Sequence, residues 1–146
     1  MIVLSLAFIP GCTIATSCIL FNNTSYDASV AIESLGMERR TISLKASTYI
    51  EVENWPASRL KVSTPLGVWT YATVDPAEEF VRFSGFGPWA KRTFKAQLET
   101  DGRVVVVEHD QPFPQIDLPQ QPQGYPLVPK LPGDARLSDV PGITFG

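Results

Sequence analysis

The chain has one histidine and two cysteines in 146 residues. Both cysteines, Cys12 and Cys18, fall within the first eighteen positions. No Cys-x-x-Cys or Cys/His spacing suited to zinc exists, so no metal site is expected. A serine or cysteine nucleophile would need His109 as its base, and no Gly-x-Ser-x-Gly turn supports one. Gly85-x-Gly87 lacks the lysine and the strand-to-helix setting of a phosphate loop. Positive charge is also scarce. Twelve Lys and Arg stand against fifteen Asp and Glu, for a net charge of −3, and no basic run exceeds two residues. Nucleic-acid binders concentrate positive charge on one face, so that class is excluded. Long apolar runs are missing too. The opening stretch Ile2 to Ile9 spans eight residues, against about 20 for a membrane-spanning helix. Nowhere does a 3.6-residue periodicity persist past two turns.

What is present is alternation. Val30 with Ile32, Ile42 with Leu44, Ile50 with Val52, and Leu60 with Val62 each mark one apolar face with polar residues between them. This period of two argues for half-buried antiparallel strands. Val68 to Val74 is rich in β-branched and aromatic residues, with Trp69 and Tyr71 on one face. Asp75 to Glu79 reads as a loop or a single helical turn, with Asp75 as cap and Pro76 at its first position. Arg92 to Glu99 and Arg103 to Glu108 flank Thr100-Asp101-Gly102, a hairpin signal expected to form a type I′ turn. Phe94, Ala96 and Leu98 would face the core. Seven or eight short strands with regular turn signals predict an all-β fold, an antiparallel β-sandwich of immunoglobulin-like or small-barrel type.

The organisation expected is threefold: a segment 1–18, a β-sandwich domain 19–110, and a tail 111–146 rich in proline. The tail holds eight of the thirteen prolines. Proline fixes φ and removes a donor, so this stretch should be extended, partly polyproline II, and loosely attached. On that basis its removal should spare the melting transition. Its apolar residues, Tyr125 and Leu127 among them, would serve as docking anchors for a partner.

The first segment suggests an address. An apolar run the length of a signal-peptide core leads to Ile9-Pro10-Gly11-Cys12, and Ala15-Thr16-Ser17-Cys18 follows. No charged side chain precedes Asp27. These residues resemble bacterial lipoprotein signals, in which small residues precede a cysteine that takes a diacylglycerol. The resemblance implies lipid attachment at Cys12, which abuts the apolar run, or at Cys18, with Cys12 favoured because the missing basic residue near the start suggests an upstream segment. The residue after either cysteine, Thr13 or Ile19, is not Asp. Within the resemblance this implies the outer membrane, facing the periplasm. The alternative is that Cys18 begins a buried first strand, since cysteine is among the most buried residue types.

Candidate sites are few. His109 lies between Glu108 and Asp110 and reads as a solvated strand end. Catalysis would need a pocket joining it to the acidic loop of Asp75, Glu78 and Glu79. No catalytic residue and no cofactor is expected. The aromatic residues are better candidates for binding. Phe86 and Trp89 lie in a Gly/Pro loop, and Tyr71 shares a strand face with Trp69. Aromatic side chains are enriched at interfaces but also fill cores. Together these features predict a non-catalytic envelope lipoprotein, a structural or adaptor component of an assembly such as a secretion system or pilus. It would hold the membrane through its lipid and a protein partner through Phe86, Trp89, Tyr71, Tyr125 or Leu127. The alternative is a glycan or peptidoglycan module using the Trp/Tyr faces.

Overall fold

The computed structural model describes residues 16–33, 41–55 and 59–130. Among them, nine strands form two sheets that pack face to face, an all-β sandwich. The first sheet contains β1 (Thr16–Asn22), β4 (Tyr49–Trp55), β7 (Arg82–Ser84), β8 (Lys91–Leu98) and β9 (Val104–Val107). Its order is β4-β1-β8-β7, and β9 pairs with the same edge of β8 that β7 uses. The second sheet runs β3-β2-β5-β6, from β2 (Ala28–Glu33), β3 (Thr41–Leu44), β5 (Arg59–Thr64) and β6 (Gly67–Ala72). All neighbours are antiparallel except β1 and β8, which run parallel.

The alternation in the sequence places the core. Leu20, Val30, Leu44, Val52, Leu60, Val62, Trp69, Tyr71, Phe94, Ala96 and Leu98 are all buried between the sheets. Ile42 and Ile50 are only half-buried. Trp55 ends β4 inside the core. Its ring meets Phe94 edge-on at 5.5 Å, and Phe94 meets Tyr125 at 6.3 Å.

The hairpin between β8 and β9 differs from the type I′ expectation. Three residues form its loop. Gly102 N–H donates to Glu99 O, Glu99 N–H donates to Arg103 O, and only Gly102 has positive φ. That is a type I turn closed by a left-handed glycine, the three-residue solution. Gly102 is also the one place where the loop can lie flat on the second sheet. An added Cβ would stand 3.1 Å from Pro129 Cγ and 3.3 Å from Trp69 Cε2. Tyr71 Oη donates to Gly102 O at 2.7 Å.

The stretch after residue 110 belongs to the fold as far as residue 130, which corrects the expectation of a loosely attached tail beginning at 111. Phe113 stacks on Phe21 at 4.8 Å on the outer face of the first sheet, with Lys95 Nζ 4.4 Å above its ring. Val105 and Val107 also point to that outer face, yet they are buried. Further on, Leu127 bridges Val104 of β9 and Lys130 bridges Thr70 of β6, so one strap ties the two sheets together.

The physical reason lies in the glutamines. Prolines cannot complete a ladder, but amide side chains carry a donor and an acceptor spaced like a peptide. Gln121 accepts from Val106 N–H and donates to Val106 O, both at 2.8 Å. Gln97 accepts from Gln115 N–H at 3.0 Å and donates to Gln115 O at 3.1 Å. The Gln121 bonds, with those between Leu127 and Val104, satisfy the edge of β9, which would otherwise be open to pairing with another chain, while Gln97 holds the strap to the outer face of β8. The removal of 111–146 would therefore strip Tyr125 and Leu127 from the core.

Candidate functional site

Two neighbouring features stand at the end of the first sheet where β7 joins it. The first is an aromatic loop. β7 is only three residues long, and every one of them is exposed. The chain then turns at Gly85, whose φ is +72° and whose added Cβ would stand 2.4 Å from Trp89 O. Only glycine fits there. A single 3-10 turn, Gly87–Trp89, follows, closed by Trp89 N–H to Phe86 O and Ala90 N–H to Gly87 O. This fixed backbone holds Phe86 at 83% and Trp89 at 78% exposure, with Phe83 beside them at 57%. Beneath Phe83 lies Arg92, whose guanidinium carbon is 5.6 Å from the ring centroid.

Arg92 explains why the loop stands where it does. It falls on the same strand face as Phe94 and Ala96, so it points between the sheets, at their mouth. There its guanidinium meets Glu78 at 2.7 Å, Asp75 at 3.4 Å and Thr16 Oγ1 at 2.6 Å. Asp75 is thus an ion-pair partner. The turn it was expected to cap starts later, at Glu78–Phe80, with Ala77 before it. A charged residue in phase with three core positions was the signal for this anchor in the sequence.

The second feature is a cleft of about 720 Å³. It forms because β9 and β7 share one edge of β8 end to end. β9 leaves after Val107, opposite Lys95, and β7 enters at Arg82, opposite Thr93. The gap between them is walled by residues 79–83 and 108–110, with Pro119 and Gln120 of the strap closing one side. His109 lies here, half-buried, with Nε2 3.1 Å from Thr93 Oγ1. Its Nδ1 is enclosed and has no hydrogen-bond partner among the described residues. Burial, reinforced by the charge of Arg82, holds its pKa below the ordinary histidine value, so the ring is neutral at pH 7. The cleft does join His109 to Glu79 of the acidic loop. The ring nonetheless lacks the orienting carboxylate on Nδ1 that a hydrolytic triad uses. Glu108 is held instead by Gln115, whose Nε2 donates to it at 2.8 Å.

The remaining sequence candidates separate by burial. Phe86 and Trp89 are brought together at the surface. Tyr71, Tyr125 and Leu127 are not available to a partner: they are 1%, 8% and 4% exposed and form part of the core. The Trp69/Tyr71 face likewise meets no solvent, because the second sheet turns it inward and Gly102 and Pro129 cover Trp69. Tyr125 has a different task. Its hydroxyl donates to Val74 O and accepts from Trp55 Nε1 at 3.0 Å, pinning the strap to the core. Burial drives its pKa far above the ordinary tyrosine value.

Cys18 corrects the second lipidation register. It sits in β1, flanked by β4 and β8, with no exposed surface, and burial raises its thiol pKa well above normal. A residue inside a sandwich core cannot carry a diacylglycerol into a membrane. The boundary at 18/19 likewise falls inside β1, which begins at Thr16. Cys12 lies outside the described residues. Among the described residues no helix is long and apolar enough to cross a membrane, and no cluster of His, Cys, Asp and Glu is arranged to hold a metal ion. No family model, curated protein or solved structure matches the chain.

Proposed function

We propose that the protein is a non-catalytic adaptor of the bacterial cell envelope, tethered through Cys12 and engaging a protein partner through the loop that carries Phe83, Phe86 and Trp89. The single observation that carries this reading is the display of three exposed aromatic rings on a backbone fixed by Gly85 and a 3-10 turn. Scattered surface apolar residues are ordinary, but clustered aromatic rings on a fixed loop are the composition of an interface centre. Because the loop is already ordered, little conformational entropy is lost when a partner covers it.

The tether rests on the lipoprotein-like sequence at Ile9 to Cys12, and the burial of Cys18 supports that register over the one at Cys18. The outer membrane, facing the periplasm, is the proposed location, on the residue that follows Cys12. The experiment places a photo-crosslinking amino acid at position 86 of the full chain in cells, with position 53 on β4 as a control. The expected result is a discrete adduct from position 86 that Trp89→Ala abolishes, together with a diacylglycerol mass increment lost in Cys12→Ser. No adduct specific to position 86 removes the adaptor reading. An unmodified Cys12 removes the tether.

A further inference from the structure

We infer that the cleft between β7 and the end of β9 is a binding site for a short saccharide, separate from the aromatic loop. The argument begins with its charge. Glu79, Glu108 and Asp110 line it against one guanidinium, Arg82, while His109 is neutral at pH 7. Phosphates and other strong anions are therefore disfavoured. Its hydrogen-bonding groups are of both kinds. Arg82 and Gln120 offer donors, whereas Glu79 and Asp110 offer acceptors, and all four residues are exposed to solvent. A cation would need acceptors alone. A sugar hydroxyl donates and accepts at once, so a ring with adjacent hydroxyls uses the mixed set in full. The opening, about 720 Å³, has room for more than one sugar ring.

The walls are fixed before any ligand arrives. Ladder bonds to β8 hold Arg82 and Phe83, Glu108 is oriented by Gln115, and the strap that carries Gln120 is anchored next door by Gln121. This site lies on different residues from the Trp/Tyr faces expected from the sequence, which are buried. It also does not depend on the adaptor reading, because neither Phe86 nor Trp89 lines it and the Phe83 ring lies over Arg92, on the other face of the sheet from Arg82 and His109.

The test is an amide chemical-shift titration of the full chain with chitotriose, cellotriose and maltotriose, each to millimolar concentration. The inference expects at least one of the three to shift resonances of residues 80–83, 108–110 and 120 together. Arg82→Ala and Gln120→Ala should each weaken that sugar by about 3- to 10-fold, the worth of one hydrogen bond. Trp89→Ala should leave it unchanged. Unchanged melting midpoints in the cleft variants show that the losses are local. Three results would overturn the inference: no shifts with any of the sugars, shifts confined to residues 86–89, or shifts of the cleft by N-acetyl-arginine amide but not by sugar. None of these bears on crosslinking from position 86, so the two readings fail separately.

Discussion

Replacing Gln97 by leucine tests how the strap is held. Gln97 is 1% exposed, and its amide meets both backbone groups of Gln115, which is itself 8% exposed. Leucine has similar volume and would pack against Val105, its partner across β8 and β9. The transfer term is thus small, and what remains is one buried N–H and one buried C=O without partners. Each costs about 1–3 kcal/mol if it stays dry. The strap can relieve that cost by peeling back and admitting water, but it then gives up the Phe113–Phe21 stack. The expected loss is about 2–4 kcal/mol, which at this chain length lowers the melting midpoint by roughly 3–4 °C per kcal/mol. Urea unfolding with circular dichroism measures the free energy, and amide hydrogen exchange reads the strap directly. Protection should fall across residues 113–121 while the β1 and β8 amides keep theirs until global unfolding. A change under about 0.5 kcal/mol with unaltered protection would refute the claim that glutamine amides stand in for ladder bonds.

Three further outcomes follow from the same geometry. Gly102→Ala should destabilise by about 2–4 kcal/mol, combining the left-handed conformation with crowding against Pro129 and Trp69; a loss below about 1 kcal/mol in chemical denaturation would contradict the packing at the hairpin tip. In a Cys12→Ser background, Cys18 should resist maleimide in the native state and react fully in denaturant, because it is buried and its thiol pKa is raised; native labelling at the unfolded rate would refute its place in the core. His109 should titrate below the ordinary value of 6.5, for burial and Arg82 both oppose its charge. The unfolded ring then takes its proton first as pH falls through 6.5, so this contribution to stability is present above that pH and is lost below it. His109→Gln should flatten the stability difference between neutral and mildly acidic pH, and a folded-state NMR midpoint at or above 6.5 would overturn the assignment.

The legibility of the sequence differed from element to element. Leu60, Val62, Phe94, Ala96 and Leu98 could be assigned to the core because alternation is a local property, set by side chains pointing to opposite faces. Trp69 and Tyr71 were on one face as expected, but whether that face met solvent or a second sheet depended on residues far along the chain. Phe86 and Trp89 stood out by their glycine and proline setting. Phe83 did not, because a phenylalanine in a short apolar run gives no sign that the opposite sheet ends before it. The cleft had no local signature at all, since it exists only where two strands distant in sequence meet on one edge.

By itself, the sequence determined the strand pattern and the existence of the β8–β9 hairpin, since each depends on neighbouring residues. Tertiary structure decided the fate of Cys18 and of the proline-rich stretch. β1 is buried on both faces only because a second sheet covers one side and Phe113 the other. Composition can say that prolines will not form a ladder. It cannot say that Gln115 will find Gln97 or that Gln121 will find Val106, because those bonds join residues 18 and 15 positions apart and depend on a register set once both sheets have assembled.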